Sequence, residues 1–499
     1  MKIVVMGSGF GGLSAAIRLQ AQGHQVQILD KRDRPGGRAY VYEQDGFIFD
    51  GEPTIITAPQ LIDELFQLHG KKTSDYVQLV PLDPFYTVRF ADGSAFYYNS
   101  DRDALIEQIR QFNPADVAGY EQFAQATEQI YQKGFPLMTK AFSRFTDMLP
   151  VAPDMLQLQS YKSVTSFVNQ YIKDERLRQV FSFHPLLIGG NPFTSSAIYA
   201  MIHQLEQHQG IWYAMGGTGA LVQALVRLFT EMGGEIFLNT EVEQISMNEN
   251  TRKADGVKLK NGEFIAADVI VSNGDVAHTY LNLVPEKFRR KYRDRRLKKM
   301  NYSMSLFVLY FGTNRRYEQM GHHEIIMAPR YRELMQDIFD RKQLAADFSL
   351  YLHRPTATDP AIAPEGCDAW YVLSPVPNLA GLTDWRTQAK SYRDQIIHYL
   401  EQRYLPNLSQ HILTERYIDP LHFRDTLNSY LGSAFSVQPT LMQSAWFRPH
   451  NHSEDVENLY LVGAGTHPGA GIPGTICSGK IVAEAIASRS SSPPSNPFN

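Results

Sequence analysis

Apolar positions in the first thirty residues switch between two periods. Ile3-Val4-Val5 is a short unbroken apolar run, the pattern of a strand buried on both faces. Ala16 and Leu19 then share one helical face, Gly23 ends that stretch, and Val26, Ile28 and Leu29 predict a second strand. The alternation returns later. A periodic helix is predicted over 221–232, stopped by Gly233-Gly234, with strands over 235–238, 242–246, 254–259 and 264–272. An Asn261-Gly262 turn joins the last two as a hairpin. Near the C-terminus, 459–462 reads as a buried strand and 475–487 as a helix. Two long insertions separate these pieces. Residues 101–208 are mostly helical, and 285–439 mix strands (303–311, 370–374) with helices (389–404). There is no internal repeat, and the Ser/Pro-rich 488–499 are expected to be a disordered tail.

Between the first strand and helix lies Gly7-Ser8-Gly9-Phe10-Gly11-Gly12. The spacing Gly7-x-Gly9-x-x-Gly12 is that of a dinucleotide-binding turn. Gly7 permits the tight turn, Gly9 lets the main chain approach a pyrophosphate, and Gly12 allows close helix–strand packing. The amides of Phe10 and Gly11 open a helix whose dipole favours negative charge. Asp30 ends the second strand, eighteen positions past Gly12, where a carboxylate accepts ribose hydroxyls and repels an added phosphate. Strand, helix, strand and acid in register predict an adenine dinucleotide. Two further glycine-rich words follow: Gly216-Gly217-Thr218-Gly219, and Gly463 through Gly474. So much glycine costs backbone entropy unless a ligand must approach the main chain.

Composition narrows the setting. At 499 residues, two domains are the natural expectation. A formal charge of −4 gives no reason to expect nucleic acid. The two cysteines, Cys367 and Cys477, form no metal-ligand pattern and fit a reducing cytosol. His322 and His323 are adjacent, hence badly placed to share one ion, and no metal is expected. No apolar run approaches the eighteen or so residues of a spanning helix, and the N-terminus lacks a signal peptide's layout. A cytoplasmic protein is expected. The 28 Phe and 26 Tyr point either to a large core or to a long apolar cavity.

Pro35-Gly36-Gly37-Arg38 follows the second strand at once, and this Gly-Gly-Arg resembles the second flavin contact of the FAD-dependent amine oxidase and carotenoid desaturase superfamily. Longer words narrow the resemblance to the bacterial-type phytoene desaturases. They are Gly36-Gly37-Arg38-Ala39-Tyr40, Phe181-Ser182-Phe183-His184, Gly189-Gly190-Asn191-Pro192, Gly216 through Leu221, Ser272-Asn273 with Asp275 and His278-Thr279, Gly432 through Ser436, and Gly463 through Gly474. The resemblance implies a Rossmann-like, glutathione-reductase/amine-oxidase type α/β domain binding FAD, built from residues 1–81, 212–284 and 440–487. An inserted α+β substrate domain would comprise 82–211 and 285–439, with a helical, membrane-associated part at about 101–208. It further implies cofactor contacts at Lys31, Gly37, Arg38, Pro53, Thr54, Val242, Gly465, Gly471, Ile472 and Pro473. One departure stands out. The family's usual Asp-Ala-Gly-Pro-Thr is here Asp50-Gly51-Glu52-Pro53-Thr54, and a carboxylate near a reduced flavin is expected to disfavour reduction.

The implied reaction removes hydrogens pairwise from phytoene, stepwise toward lycopene. FAD takes hydride, and oxygen or a quinone is the final acceptor. A C30 substrate, an intermediate end product, and a cofactor-free lipid-escort protein on the same fold are the alternatives. Asp147 is the candidate proton acceptor, against the plainer reading of a solvated carboxylate. Because the substrate partitions into lipid, peripheral association with a bilayer surface is expected. The run Lys287, Arg289, Arg290, Lys291, Arg293, Arg295, Arg296, Lys298, Lys299 offers basic contacts to anionic headgroups, unless it is simply a solvated face.

Overall fold

The computed structural model of the chain describes residues 1–490. Five parallel strands form one sheet in the order Leu459–Leu461, Val269–Ser272, Lys2–Met6, Gln25–Leu29, Glu235–Phe237. Both faces are covered, which is why Lys2–Met6, Val269–Ser272 and Leu459–Leu461 read as apolar runs. Ile3 and Val5 face the helices Phe10–Ala21, Thr218–Glu231 and Ile472–Ser490. Val4 and Met6 point the other way, onto an antiparallel layer of Val242–Met247, Ala254–Leu259 and Phe264–Ala266. Helices Phe10–Ala21 and Ile472–Ser490 cross so closely that a Cβ on Gly479 would lie 2.6 Å from Ser14 Oγ.

Two expectations change. The stretch read as one strand over 264–272 serves two sheets, ending in the antiparallel layer at Ala266 and entering the parallel sheet at Val269. Asp268 alone interrupts the apolar stretch at the break, too little for periodicity to reveal it. At the C-terminus, 488–490 belong to the helix Ile472–Ser490; the rest of the expected disordered tail, 491–499, lies outside the described residues.

The second sheet has seven strands, ordered Ile412–Ile418, Ser305–Thr313, Asp368–Val376, Leu350–His353, His323–Ile326, Tyr86–Arg89, Ala95–Tyr98. Every pairing is antiparallel except that of His323–Ile326 with Tyr86–Arg89. Every residue of Ser305–Thr313 is buried. Phe307, Leu309 and Phe311 pack under helix Trp385–Arg403, whereas Leu306, Val308 and Tyr310 face the interior shared with the helical insertion. That insertion is held by helices Arg102–Phe112, Val117–Gly134, Glu175–Ser182 and Met201–Gln209. Its aromatic core of Tyr120, Phe123 and Phe181 meets Phe96 and Tyr98 of the sheet. Among the described residues no helix is long and apolar enough to cross a membrane.

A buried arginine ties the C-terminal glycine segment to the rest. Arg448 donates to the carbonyls of Thr466 (2.9 Å), Gln443 (3.1 Å), Val437 (2.9 Å) and Ala464 (2.6 Å). Burial favours its neutral form, and the four carbonyls offset that cost. Arg448→Met keeps the apolar stem but strands those carbonyls away from water. Urea unfolding should show a loss of roughly 3 kcal/mol or more.

Candidate functional site

The carboxyl ends of the parallel strands open onto a groove. Gly7 turns the chain with φ +98°, its amide bonded to Leu29 O at 2.8 Å, and Gly9 caps the helix that follows. Asn273, leaving the strand Val269–Ser272, lies beneath this turn. Its amide donates to Met6 O (2.8 Å) and its Nδ2 to Val462 O (3.3 Å), so it joins three strand ends. A Cβ on Gly9 would come within 2.8 Å of Asn273 Oδ1, and one on Gly11 within 2.9 Å of Asn273 Nδ2 and Gly463 N. Gly12 faces the strand instead, where a Cβ would meet Gly7 O at 2.1 Å.

The groove is lined by Gly7, Gly9, Phe10, Gly11, Asp30, Lys31, Gly37, Arg38, Pro53, Val242, Gly465, Gly471 and Ile472, all of them predicted. Asp30 does more than wait for a ribose. Its Oδ2 accepts from Ser8 N (2.8 Å) and Ser8 Oγ (2.5 Å), and its Oδ1 accepts from Arg32 N (2.9 Å). It therefore also braces the glycine turn. Lys31 Nζ donates to Asn428 Oδ1 at 2.8 Å, and burial lowers its pKa. Arg38 spends one nitrogen on Ser429 Oγ (3.0 Å), while its buried Nε has no partner. A cradle that any Cβ would fill, a helix N-terminus and an unsatisfied guanidinium N–H together fit a dinucleotide's phosphates.

Next to the groove runs a second, apolar cavity. Glu52, Pro53, Leu187, Phe435, Ala470, Gly471 and Ile472 line both spaces and form their common wall. Beyond the wall the lining is chiefly Leu, Ile, Met and aromatic, including Met138, Leu186, Met201, Leu205, Leu306, Ile325 and Leu373. Thr54 and Pro473, predicted as cofactor contacts, line this cavity and not the groove. Thr54 Oγ1 shares a hydrogen bond with Tyr351 OH (2.7 Å), and Tyr351 OH also meets His323 Nδ1 (2.8 Å).

The loop carrying Glu52 is held from behind. Asp50 accepts the amides of Thr218 (2.9 Å) and Gly219 (3.1 Å) at the start of helix Thr218–Glu231, and Thr218 Oγ1 donates to Pro53 O (2.7 Å). Burial raises the Asp50 pKa to about 6 against those amides. Glu52 is 9% exposed, and its Oε1 accepts from Tyr371 OH. Burial pushes its pKa up to about 7, opposed by the Tyr371 hydrogen bond and the Arg38 charge.

Asp147 lines neither space. It is half-buried, its Oδ2 accepting the amides of Ser143 (2.9 Å) and Arg144 (2.8 Å) at a short helical turn, Phe145–Met148. A carboxylate in an aromatic-rich stretch looks like a cavity residue from sequence; the fold turns this one outward. The basic run is likewise less free than its sequence implies. Arg289 is 6% exposed and pairs with Asp294 (2.7 Å), while Lys287 and Lys291 pair with Glu249 and Glu454. Those last two acids come from distant chain segments.

His322 and His323, expected to be badly placed to share one ion, are joined by His353, with one ring nitrogen from each within 4.8 Å of the others. The fold thus corrects that expectation, since a third ring from a neighbouring strand completes a group that could hold one ion. Burial keeps all three imidazoles neutral, and the Arg354 charge adds to this at His322. Sequence reading also left Asn273, Asp275, Ser436, Leu187 and Phe435 out of the site, although each stands in one of the quoted words or two residues from one. Their motifs were visible; their roles as wall and brace depend on strands meeting in space.

Replacing Gly9 by Val should abolish FAD retention, because the side chain would fill the cradle and strike Asn273. Gly23→Val, at φ +81° with no atom within 4 Å of its Cβ, should keep FAD and lose roughly 1–2 kcal/mol of stability. Flavin absorbance after desalting, together with thermal melting, checks both outcomes.

Comparison with known proteins agrees with this geometry. A family model described as flavin containing amine oxidoreductase matches residues 10–487. The chain is 51% identical over 481 residues to a phytoene desaturase (lycopene-forming) of Pantoea ananas, covering 96% of this chain and 97% of that protein. It is 50% identical over 487 residues to a phytoene desaturase (lycopene-forming) of Pseudescherichia vulneris, covering 97% and 99%. Among solved structures, putrescine oxidase bound to putrescine superposes with a TM-score of 0.66 at 13% identity, covering 98% of this chain and 100% of that one, which speaks for the fold alone. The chain belongs to the flavin containing amine oxidoreductase family, and it is an oxidoreductase whose cofactor is FAD.

Proposed function

We propose that the protein desaturates phytoene stepwise toward lycopene, as its bacterial relatives are named for doing, with oxygen or a quinone as final electron acceptor. The observation that carries this reading is the common wall between an apolar cavity and the dinucleotide groove. A hydrocarbon offers no charged handle, so its position must come from shape and desolvation. Bound FAD supplies hydride acceptance. The glycine turn with Phe10 and Gly11, Asp30, Arg38 and Val242 would hold it, and the apolar lining would lay a polyene along the wall and exclude water.

The domain division follows the same logic. All five parallel strands fall in 1–81, 212–284 and 440–487, the proposed FAD domain, and all seven of the mixed sheet fall in 82–211 and 285–439, the proposed substrate domain.

Peripheral membrane docking is part of the proposal, on a surface other than the basic run by itself. Phe145, Leu149, Leu156 and Met442 are exposed, and Phe145 meets the Trp446 ring edge-on at 5.2 Å. Lys291 Nζ lies 5.6 Å from the centre of the Trp446 ring, so basic and apolar groups adjoin. Tyr199 of the cavity lining bonds Ser444 Oγ (3.0 Å), two residues from Trp446, which brings this patch close to the cavity. Such a mixture suits an interface of headgroups and acyl chains.

Incubation with phytoene and FAD in liposomes, followed by pigment chromatography, should yield lycopene; colourless extracts would overturn the reading. Replacing Phe145, Leu149, Leu156 and Met442 together by Ser should reduce flotation with anionic liposomes at least tenfold while FAD absorbance is retained.

A further inference from the structure

Glu52 stands where the family's usual pattern has glycine, and the structure gives its side chain a specific setting. Among the described residues it is the only acidic one that lines both the apolar cavity and the dinucleotide groove. Tyr371 OH donates to Oε1, while Oε2 has no hydrogen-bond partner among the described residues. With Oε1 engaged by Tyr371, Oε2 is the carboxylate oxygen left for the spaces that Glu52 lines. The other carboxylate of the apolar cavity, Glu206, is different: Tyr86 OH occupies Oε1 (2.8 Å) and His184 Nε2 meets Oε2 (3.1 Å).

Removing two hydrogens from adjacent carbons needs two acceptors. One carbon gives a hydride, and its neighbour must then lose a proton so that the electron pair of the second C–H bond becomes the new π bond. We propose that Glu52 is the base that takes this proton on Oε2, with Tyr371 as the positioning residue that holds the carboxylate at the wall. The proposal rests on the desaturase reading. Hydride goes to bound oxidised FAD, the proton goes to Glu52, and the substrate gains one double bond. With glycine at this position no carboxylate would stand at the wall, and the proton would need another acceptor.

The groups facing Glu52 set its working range. Arg38 and the Tyr371 hydroxyl favour the carboxylate; burial opposes it; Tyr310 and Tyr351 sense its charge and stay protonated. The balance puts its pKa at about 7. A base must be ionised, so the rate should rise as pH climbs through that value. The expectation that a carboxylate here merely disfavours flavin reduction gives no such rise.

FAD-loaded wild type, Glu52→Gln, Glu52→Asp and Tyr371→Phe would be mixed anaerobically with phytoene liposomes, following flavin bleaching in a single turnover from about pH 5.5 to about pH 8.5. Wild type should show the rise near neutrality. Glu52→Gln should be at least tenfold slower and flat with pH, and Glu52→Asp should regain part of the rate with its pH step. Loss of the Tyr371 hydrogen bond, which favours the charged form, should move the step to higher pH. Infrared difference spectra of the resting holoenzyme give a readout without turnover. A protonated-carboxyl component should titrate with the same midpoint in wild type and be missing in Glu52→Gln, which keeps the Asp50 component at lower pH. Glu52→Gln with full flavin content, wild-type rate and an unchanged pH step overturns the base and leaves the desaturase reading intact. Wild type that makes no product from phytoene overturns the desaturase reading itself.

Discussion

The junction between Asp50 and the first turn of helix Thr218–Glu231 is the constraint on which the site depends. Two backbone amides with no partner inside their own helix meet a buried carboxylate, and Thr218 adds a hydroxyl to the carbonyl of Pro53. A charge at that depth is tolerated because helix N-terminal amides stabilise it. Side chains larger than hydrogen have no room there: a Cβ on Gly217 would stand 2.3 Å from Asp50 Oδ2, and one on Gly219 2.1 Å from Val41 Cγ2. The loop from Asp50 to Thr54 is thereby pinned, and with it the wall between groove and cavity.

Around that wall the protein keeps its polar groups uncharged wherever it can. Burial lowers His203 to about 3 and leaves the His322, His323 and His353 rings neutral, while Tyr351 of the cavity lining and Tyr86 behind Glu206 are held protonated. Neutral hydrogen-bonding groups cost far less to bury than ions and do not draw water toward an apolar ligand. Glu52, its pKa at about 7, is poised between its two forms at the point where both spaces meet.

The surface follows a different rule. The basic run looks uniformly positive in sequence, yet folding supplies Glu249, Glu454 and Asp455 from elsewhere, Asp455 accepting the amides of Arg290, Lys291 and Tyr292. What remains exposed is a smaller basic patch beside aromatic and aliphatic side chains brought together from residues 145–156 and 441–446.

The sequence by itself determined the dinucleotide turn, the parallel strands and the helical character of residues 101–208. Local glycine spacing, apolar runs and period are properties of neighbouring residues, and folding preserves them. The quoted motif words carried the family for the same reason. Tertiary structure decided which acid matters. Asp147 and Glu52 are both carboxylates in promising words, but one caps an exposed turn and the other lies at the wall, a difference set by strands more than three hundred residues apart, as Tyr371 is from Glu52. It also decided that Thr54 and Pro473 serve the apolar side, that 264–272 divides between two sheets, and that Arg289 is spent internally. Each of these depends on long-range contacts, and no local pattern encodes which distant segment will supply the partner.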